Sequence, residues 1–213
     1  LEVAELVGAP AVTHRPRFPL TAADREEADR VVPPGPAPRG VIHPGATDPR
    51  RRWPVERFVV VARVLAERGV DVVVTGTPAE RDLVHRVCAG AGPGVRAVVG
   101  ELSVGGLAAM LAHSAVMLSN DTGPLHLASA VGTPAVGLFW VGNVINFARP
   151  ERARYRPLIS WRIHCPRCGL DCTRDLYPDR GGGSGCDHDD SFVDDIPVAE
   201  VITEVDQLLG AGR

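Results

Sequence analysis

Apolar positions fall into short continuous runs, each followed by a loop rich in Gly, Pro, Ser, Thr, Asp or Asn. Short apolar runs bounded by turn formers predict buried strands. Strands are therefore expected from Gly40 (G-V-I-H, before a loop near Pro44) and at Val70–Val74, Val95–Val99, Ala115–Leu118 and Ala135–Phe139. The intervening stretches have helical periodicity. Trp53-Pro54 opens a helix with Phe58, Val61, Ala62 and Leu65 on one stripe and Gly69 at its end. A second helix starts near Pro78 and reaches about Ala89, and a third spans Ser103–His113 behind a serine N-cap. A fourth, small and apolar, carries Leu125, Leu127, Ala128 and Ala130 and stops at Gly132. Strands alternating with helices at short intervals predict an α/β fold with a doubly wound, Rossmann-like parallel sheet. Ligands of such sheets bind beyond the carboxyl ends of the strands.

The two flanks lack this rhythm. Leu1–Gly8 reads as the end of a helix, and Thr21–Ala28 as a capped helix, with Thr21 followed by Asp24 and Glu26. Val31–Pro38 (V-V-P-P-G-P-A-P) has a linker composition. Residues 1–38 are thus expected to be an interdomain segment whose upstream domain is missing, and residues 39–213 a Rossmann-like domain. Trp140–Ser191 is rich in Arg, Pro, Gly, Asp and Cys and is expected to be irregular, with a cysteine-rich insert over about 161–190. A closing helix over about 197–209 has Val201, Val205 and Leu208 on one face.

The chemistry concentrates after the fourth strand, in S-N-D-T-G-P-L-H from Ser119 to His126. A helix N-terminus exposes unpaired N–H groups and the positive end of its dipole, an anion site suited to phosphate. Thr122 adds a hydroxyl, and Gly123 lets the backbone approach a ligand closely. His126, four residues after Thr122, projects from the same helical face. Asp121 would repel a phosphate, so it is expected to cap the helix or to accept from a sugar hydroxyl. The bland alternative is a capped helix with a buried, hydrogen-bonded histidine. After the first strand come His43, Thr47 and the run Arg50-Arg51-Arg52, either a solvated basic loop or a cation aimed at a diphosphate. Gly76 and Thr77 end the second strand at a tight turn.

The string D-T-G-x-x-H-x-A-x-A-x-G-x-P resembles the donor-site signature of glycosyltransferase family 9, the heptosyltransferase-like enzymes. The resemblance extends more loosely over about Leu1–Leu209. It implies the C-terminal half of a two-domain GT-B enzyme that grips the diphosphate of a nucleotide-sugar. Carried onto this chain, it places donor phosphate and sugar contacts at Thr47, Arg51, Asp121, Thr122, Gly123 and His126, and nucleotide contacts at Gly76, Glu80 and Leu102. Many relatives have Lys where Arg51 stands; Arg keeps the charge with different geometry. Read alone, Glu80 is equally a first-turn acid and Leu102 a packing residue. The implied reaction is sugar transfer from a nucleotide-diphosphate donor, ADP-sugar favoured, to a glycan or lipid-linked acceptor hydroxyl. Its setting would be cell-envelope glycan or lipopolysaccharide-type synthesis, and heptose is the best-known sugar of the family. No cofactor is required for catalysis. The base is expected in the missing N-terminal domain, so no catalytic residue is assigned here. The alternatives are a non-catalytic metal- or partner-binding Rossmann module and another GT-B enzyme such as a nucleotide-sugar epimerase.

Cys165, Cys168, Cys172 and Cys186 form a second pattern, C-x2-C-x3-C-x13-C, with His164 and His188 close by. Four thiolates would close a tetrahedron around a structural zinc or other metal. Disulfides, Cys165–Cys172 among others, and reduced thiols are the rivals; Cys88 reads as a core thiol. A net charge of −3 and a pI near 6.2 give no basic surface for nucleic acid. No apolar stretch approaches the ~18 residues of a spanning helix. A cytoplasmic location, or one peripheral to the inner membrane face, is therefore expected.

Overall fold

The computed structural model describes residues 16–147, 152–172 and 188–210, together with Leu6 and Gly8. Six parallel strands form one sheet: β1 (Arg39–His43), β2 (Asp71–Gly76), β3 (Val95–Val99), β4 (Val116–Asn120), β5 (Ala135–Trp140) and β6 (Tyr155–Ser160). Their spatial order is β3-β2-β1-β4-β5-β6, and the register pairs Ile42 with both Val74 and Leu118. The strand order reverses between β1 and β4. In open α/β sheets that reversal opens a crevice at the strands' carboxyl ends.

Helices cover both faces. α1 (Ala22–Val31), α4 (Val104–Ala112) and α5 (Gly123–Val131) contribute to one core, whereas α2 (Val55–Glu67), α3 (Arg81–Ala91) and α7 (Val198–Gly210) contribute to the other. α6 (Val141–Phe147) follows β5. Alternation along each strand feeds the two cores in turn. Val41, Val73 and Met117 face the α4 side, while Ile42, Val72, Val74 and Leu118 face the α2 side. Such continuous apolar strands are what a sheet buried on both faces demands.

Between Thr21 and Gly210 the expected strands and helices are all present, with ends shifted by one to three residues. The helix read from Pro78 begins as a 3-10 turn (Pro78–Glu80) before α3, with Thr77 and Glu80 forming a capping box. Pro54 stands just before the first turn of α2, its N–H-less nitrogen needing no acceptor. Thr21 and Asp24 form the expected capping box of α1. Two expectations need correction. α1 runs to Val31, and Val32 is only 2% exposed in the core, so apolar burial draws the first two residues read as linker into the fold, while residues 33–38 stay outside helix and strand. The stretch from Trp140 to Ser191 is not uniformly irregular, because α6 and the edge strand β6 lie within it. β6 has a mixed burial pattern and contains Arg156 and Pro157, which hid it from apolar periodicity. The reading of Leu1–Gly8 lies almost wholly outside the described residues. No helix among the described residues is long and apolar enough to cross a membrane.

Candidate functional site

The crevice between β1 and β4 is shaped by Asn120, the last residue of β4 and fully buried. Its Oδ1 accepts the Trp53 N–H at 3.0 Å, and its Nδ2 donates to the carbonyls of Pro44 (2.8 Å) and Gly45 (3.2 Å). One amide side chain therefore fixes both ends of the loop that follows β1. Trp53, 2% exposed, anchors the far end of that loop. Its ring meets Phe58 edge-on at 5.1 Å and its Nε1 donates to Ile196 O at 3.0 Å. Between these anchors Asp48 caps a 3-10 turn over Pro49–Arg51 and binds the Arg50 guanidinium twice, at 3.0 and 2.9 Å. Partial burial pushes the Asp48 carboxyl up, but the bonds and charge of Arg50 more than offset this and hold it below the usual carboxylate range.

That turn carries Arg51 to Asp121. Asp121 is 3% exposed and lies just before α5. Its Oδ1 is 3.2 Å from His126 Nε2, and its Oδ2 is 3.7 Å from Arg51 Nη1 and accepts from Asn143 Nδ2 at 2.9 Å. Both basic side chains remain partly exposed, 29% for Arg51 and 39% for His126. A buried carboxylate thus holds two basic groups at the mouth of the crevice. The expectation that Asp121 caps the helix is corrected. Thr122 is the N-cap residue, without a side-chain cap bond, and the Asp121 carboxylate faces Arg51, His126 and Asn143 instead.

The helix end is open but narrower as a donor set than its sequence implied. Pro124 has no N–H. The amides of Leu125 and His126 bond to Thr122 O at 3.1 and 3.4 Å. Gly123, the first residue of α5, is exposed, with no neighbouring atom within 4 Å of where a Cβ would stand, so the backbone there leaves room for a ligand. The Thr122 hydroxyl lies 3.2 Å from Ser119 Oγ.

The remaining candidates spread along the same edge. Thr47 is exposed in the β1 loop. Glu80 Oε2 accepts both the N–H and the hydroxyl of Thr77 at 2.9 Å, while its Oε1 lies against Gly45, where a Cβ would come within 1.9 Å. Gly76 receives the Gly100 N–H on its carbonyl at 3.0 Å; a Cβ there would strike Val84 at 2.6 Å, so packing alone accounts for this glycine. Leu102 is half-buried and packs against the α4-side core. Beneath the crevice, His43 is 5% exposed with its Nδ1 3.1 Å from Thr75 Oγ1. Burial pushes its pKa below the ordinary histidine value, opposed by the charge of Glu80. Asn120 and Asn143 are the residues that sequence reasoning missed. Asn120 was visible only as the second residue of the S-N-D-T-G-P-L-H stretch, and Asn143 sits in a helix that periodicity did not reveal. A cavity of about 880 Å³ lies at the opposite edge, lined by Pro38, Ala115 and Pro134 among others. It faces the amino ends of the strands, away from every group just described.

The cysteines form a distinct feature beyond β6. Ligand atoms of Cys165, Cys168 and His188 all lie within 4.8 Å of one another. The Gly169 N–H donates to Cys165 O, the Cys165 N–H to Leu170 O, both at 2.9 Å, and Gly169 takes a positive φ of 72°. This tight reversal turns both thiols to one side. The expected four-thiolate set is corrected in part: His188 joins Cys165 and Cys168, while the buried Cys172 stands outside the group and donates to Leu170 O at 3.4 Å. Burial pushes the Cys172 thiol above its ordinary pKa. Cys186 lies outside the described residues. Cys165 and Cys172 are thiols, so the disulfide between them is not formed. Cys88 is a half-buried thiol packed against the α2-side core.

A parallel sheet in this order, with helices on both faces and its switch point between β1 and β4, defines a Rossmann-like α/β fold. The model of glycosyltransferase family 9 (heptosyltransferase) matches residues 2–168, and the chain belongs to that family. It is 30% identical over 182 residues to lipopolysaccharide heptosyltransferase 3 of Escherichia coli, covering 79% of this chain and 46% of that protein. Its fold is similar to that of E. coli ADP-heptose lps heptosyltransferase II (TM-score 0.71, 19% identity, 95% of this chain and 56% of that one). It is also similar in fold to TibC, an iron-containing dodecameric glycosyltransferase from enterotoxigenic E. coli (TM-score 0.59, 17% identity, 92% and 49%). The chain thus spans about half the length of these relatives. Family membership favours the transferase reading over a non-catalytic module or an epimerase.

Proposed function

We propose that this chain is the donor-binding half of a glycosyltransferase that moves a sugar, heptose-like, from an ADP-sugar to an acceptor hydroxyl in lipopolysaccharide-type synthesis. The observation that carries the reading is the convergence of Arg51 and His126 on the buried Asp121, beside the exposed Gly123 at the start of α5. Departure of a nucleoside diphosphate develops negative charge that must be stabilised. The Gly123 N–H donates to a phosphate oxygen and the Arg51 guanidinium pairs with the same diphosphate. His126 supplies a further donor from the same helix face. Asp121 aims the two basic groups and offsets their charge in the empty state. Thr47, Gly76, Glu80 and Leu102 line the path along the strand ends toward ribose and base. Transfer also requires a general base for the acceptor hydroxyl. That base and the acceptor site are assigned to an N-terminal domain, which the greater length of the relatives accommodates. The enzyme would work in the cytoplasm or at the inner membrane face, where a lipid-linked acceptor is presented.

Calorimetric titration with ADP, GDP, UDP and their sugars tests the reading. ADP is expected to bind most tightly, and Arg51→Ala and Asp121→Ala to weaken it. Absence of binding by every nucleotide, with both variants indistinguishable from the parent, would overturn it.

A structural metal held by Cys165, Cys168 and His188 is part of the same proposal. Zinc–sulfur bonds of about 2.3 Å place tetrahedral ligands roughly 3.8 Å apart, compatible with the observed cluster. Soft thiolates with imidazole suit zinc or iron, and the iron of TibC offers a parallel. Such a metal would order a segment poor in apolar residues and has no assigned step in transfer.

A further inference from the structure

The segment that leaves His188 runs directly onto the loop that presents Arg51. Ser191 Oγ donates to Arg52 O at 2.6 Å, and the Phe192 N–H donates to Arg50 O at 2.7 Å. The Arg50 guanidinium lies over the Phe192 ring at 5.9 Å, and Ile196 O receives both Trp53 Nε1 and Arg57 Nη1. The 3-10 turn bearing Arg51 is thereby gripped on both sides by residues 191–196. Upstream of that grip, Asp190 pairs with Arg167, which sits between the two cysteines, at 2.9 and 3.0 Å.

Phe192 and Val193 are buried, so the grip has an apolar anchor. What tethers its outer end is the contact of residues 188–190 with the cysteine turn. Arg167 and Asp190 are solvent-screened, and an exposed ion pair holds such a segment weakly. Coordination by Cys165, Cys168 and His188 would hold it far more firmly, because it joins the two strands of chain at a single ion.

We infer that the Cys165–Cys168–His188 cluster is a metal-dependent brace on the Arg50–Trp53 turn, so that metal occupancy sets how well Arg51 is held for the donor diphosphate. The effect on donor binding rests on the function proposed above; the ordering of the turn does not. Coupling between two sites is reciprocal, so a bound nucleotide must tighten metal retention by the same factor.

The experiment uses the whole protein loaded with Zn²⁺ and the same protein stripped by a chelator. Zinc content is measured by mass spectrometry, backbone amide exchange in the peptide spanning Arg50–Trp53 by hydrogen–deuterium exchange, and ADP affinity by calorimetry. Stripping is expected to speed exchange in that peptide several-fold and to raise the ADP Kd about tenfold, within the usual range of site-to-site coupling. Both effects should reverse when Zn²⁺ is restored. Cys168→Ser, at an exposed position, should reproduce the stripped state without a core defect. Ser191→Ala should retain zinc yet lose part of the protection of the turn. Failure of the protein to take up one Zn²⁺, or unchanged exchange on stripping, would overturn the inference whatever the ADP result. Faster exchange on stripping with no ADP binding in either state would overturn the donor-binding assignment and leave the brace standing.

Discussion

The loop after β1 and the cysteine turn after β6 are both irregular, yet they are ordered by different means. The first is closed by Trp53, 2% exposed, and by the fully buried Asn120 amide, which satisfies a backbone N–H and two carbonyls at once. The second begins with Trp161 and Ile163, 69% and 40% exposed; it reaches the α2-side core through the small side chains of Cys165 and Cys172, and its internal order rests on backbone bonds within Ile163–Cys172. Where a sheet supplies buried surface, one polar side chain can specify a loop and leave the outward groups available to a ligand. Where it supplies little, backbone bonds and side-chain chemistry must supply the rest.

Breaking the first region at its centre should have the largest effect. Asn120→Asp sets a carboxylate oxygen against the carbonyls of Pro44 and Gly45 in a site with no water access. A loss of about 3 kcal/mol in urea unfolding is expected, together with loss of ADP binding. If stability were unchanged, the loop would owe its order to something other than this amide.

A smaller effect is expected from removing the ligand-facing group while keeping the scaffold. Arg51→Ala should weaken ADP binding about thirtyfold, or ~2 kcal/mol, with little change in the unfolding midpoint. Equal loss of stability and affinity would mean that Arg51 is scaffold rather than contact.

His43 sharpens the same comparison through pH. Its folded pKa lies below the unfolded value of about 6.5, so the unfolded chain binds the extra proton first. Stability is therefore complete above about pH 6.5 and falls as pH drops toward the folded pKa, by at most about 1.4 kcal/mol per pH unit. In His43→Gln that part of the acid dependence should vanish. An unchanged pH profile would show that the buried imidazole is not what couples the crevice to acid.

Thr133→Val is the control at the opposite edge of the sheet. It removes the buried hydroxyl bond to Leu111 O and should cost about 1 kcal/mol while leaving ADP affinity intact. A change in affinity there would mean that the crevice responds to any loss of stability, and the contrast between the two regions would lose its meaning.

Most of the fold was legible before any coordinates, and the reasons are local. Buried parallel strands must be apolar throughout, and glycine or a small polar residue must punctuate them, so β1 to β5 and the helices between them announced themselves. The motif from Asp121 to His126 stood out because the anion-binding helix end proposed there needs particular residues at fixed offsets. β6 was not, because an edge strand tolerates Arg156 and Pro157.

The composition and order of residues in this chain thus determined an alternating parallel α/β unit, and marked the Asp-Thr-Gly turn at a strand end, with Arg51 by family resemblance, as the proposed place for its chemistry. Only the tertiary structure decided that β1 and β4 are neighbours, that Asp121 faces Arg51, His126 and Asn143 instead of capping its helix, and that His188 joins Cys165 and Cys168. Local propensity and periodicity act over a few residues, whereas most of these pairings, Asp121 with His126 excepted, join positions twenty or more residues apart and are fixed by strand order and by how the two cores close.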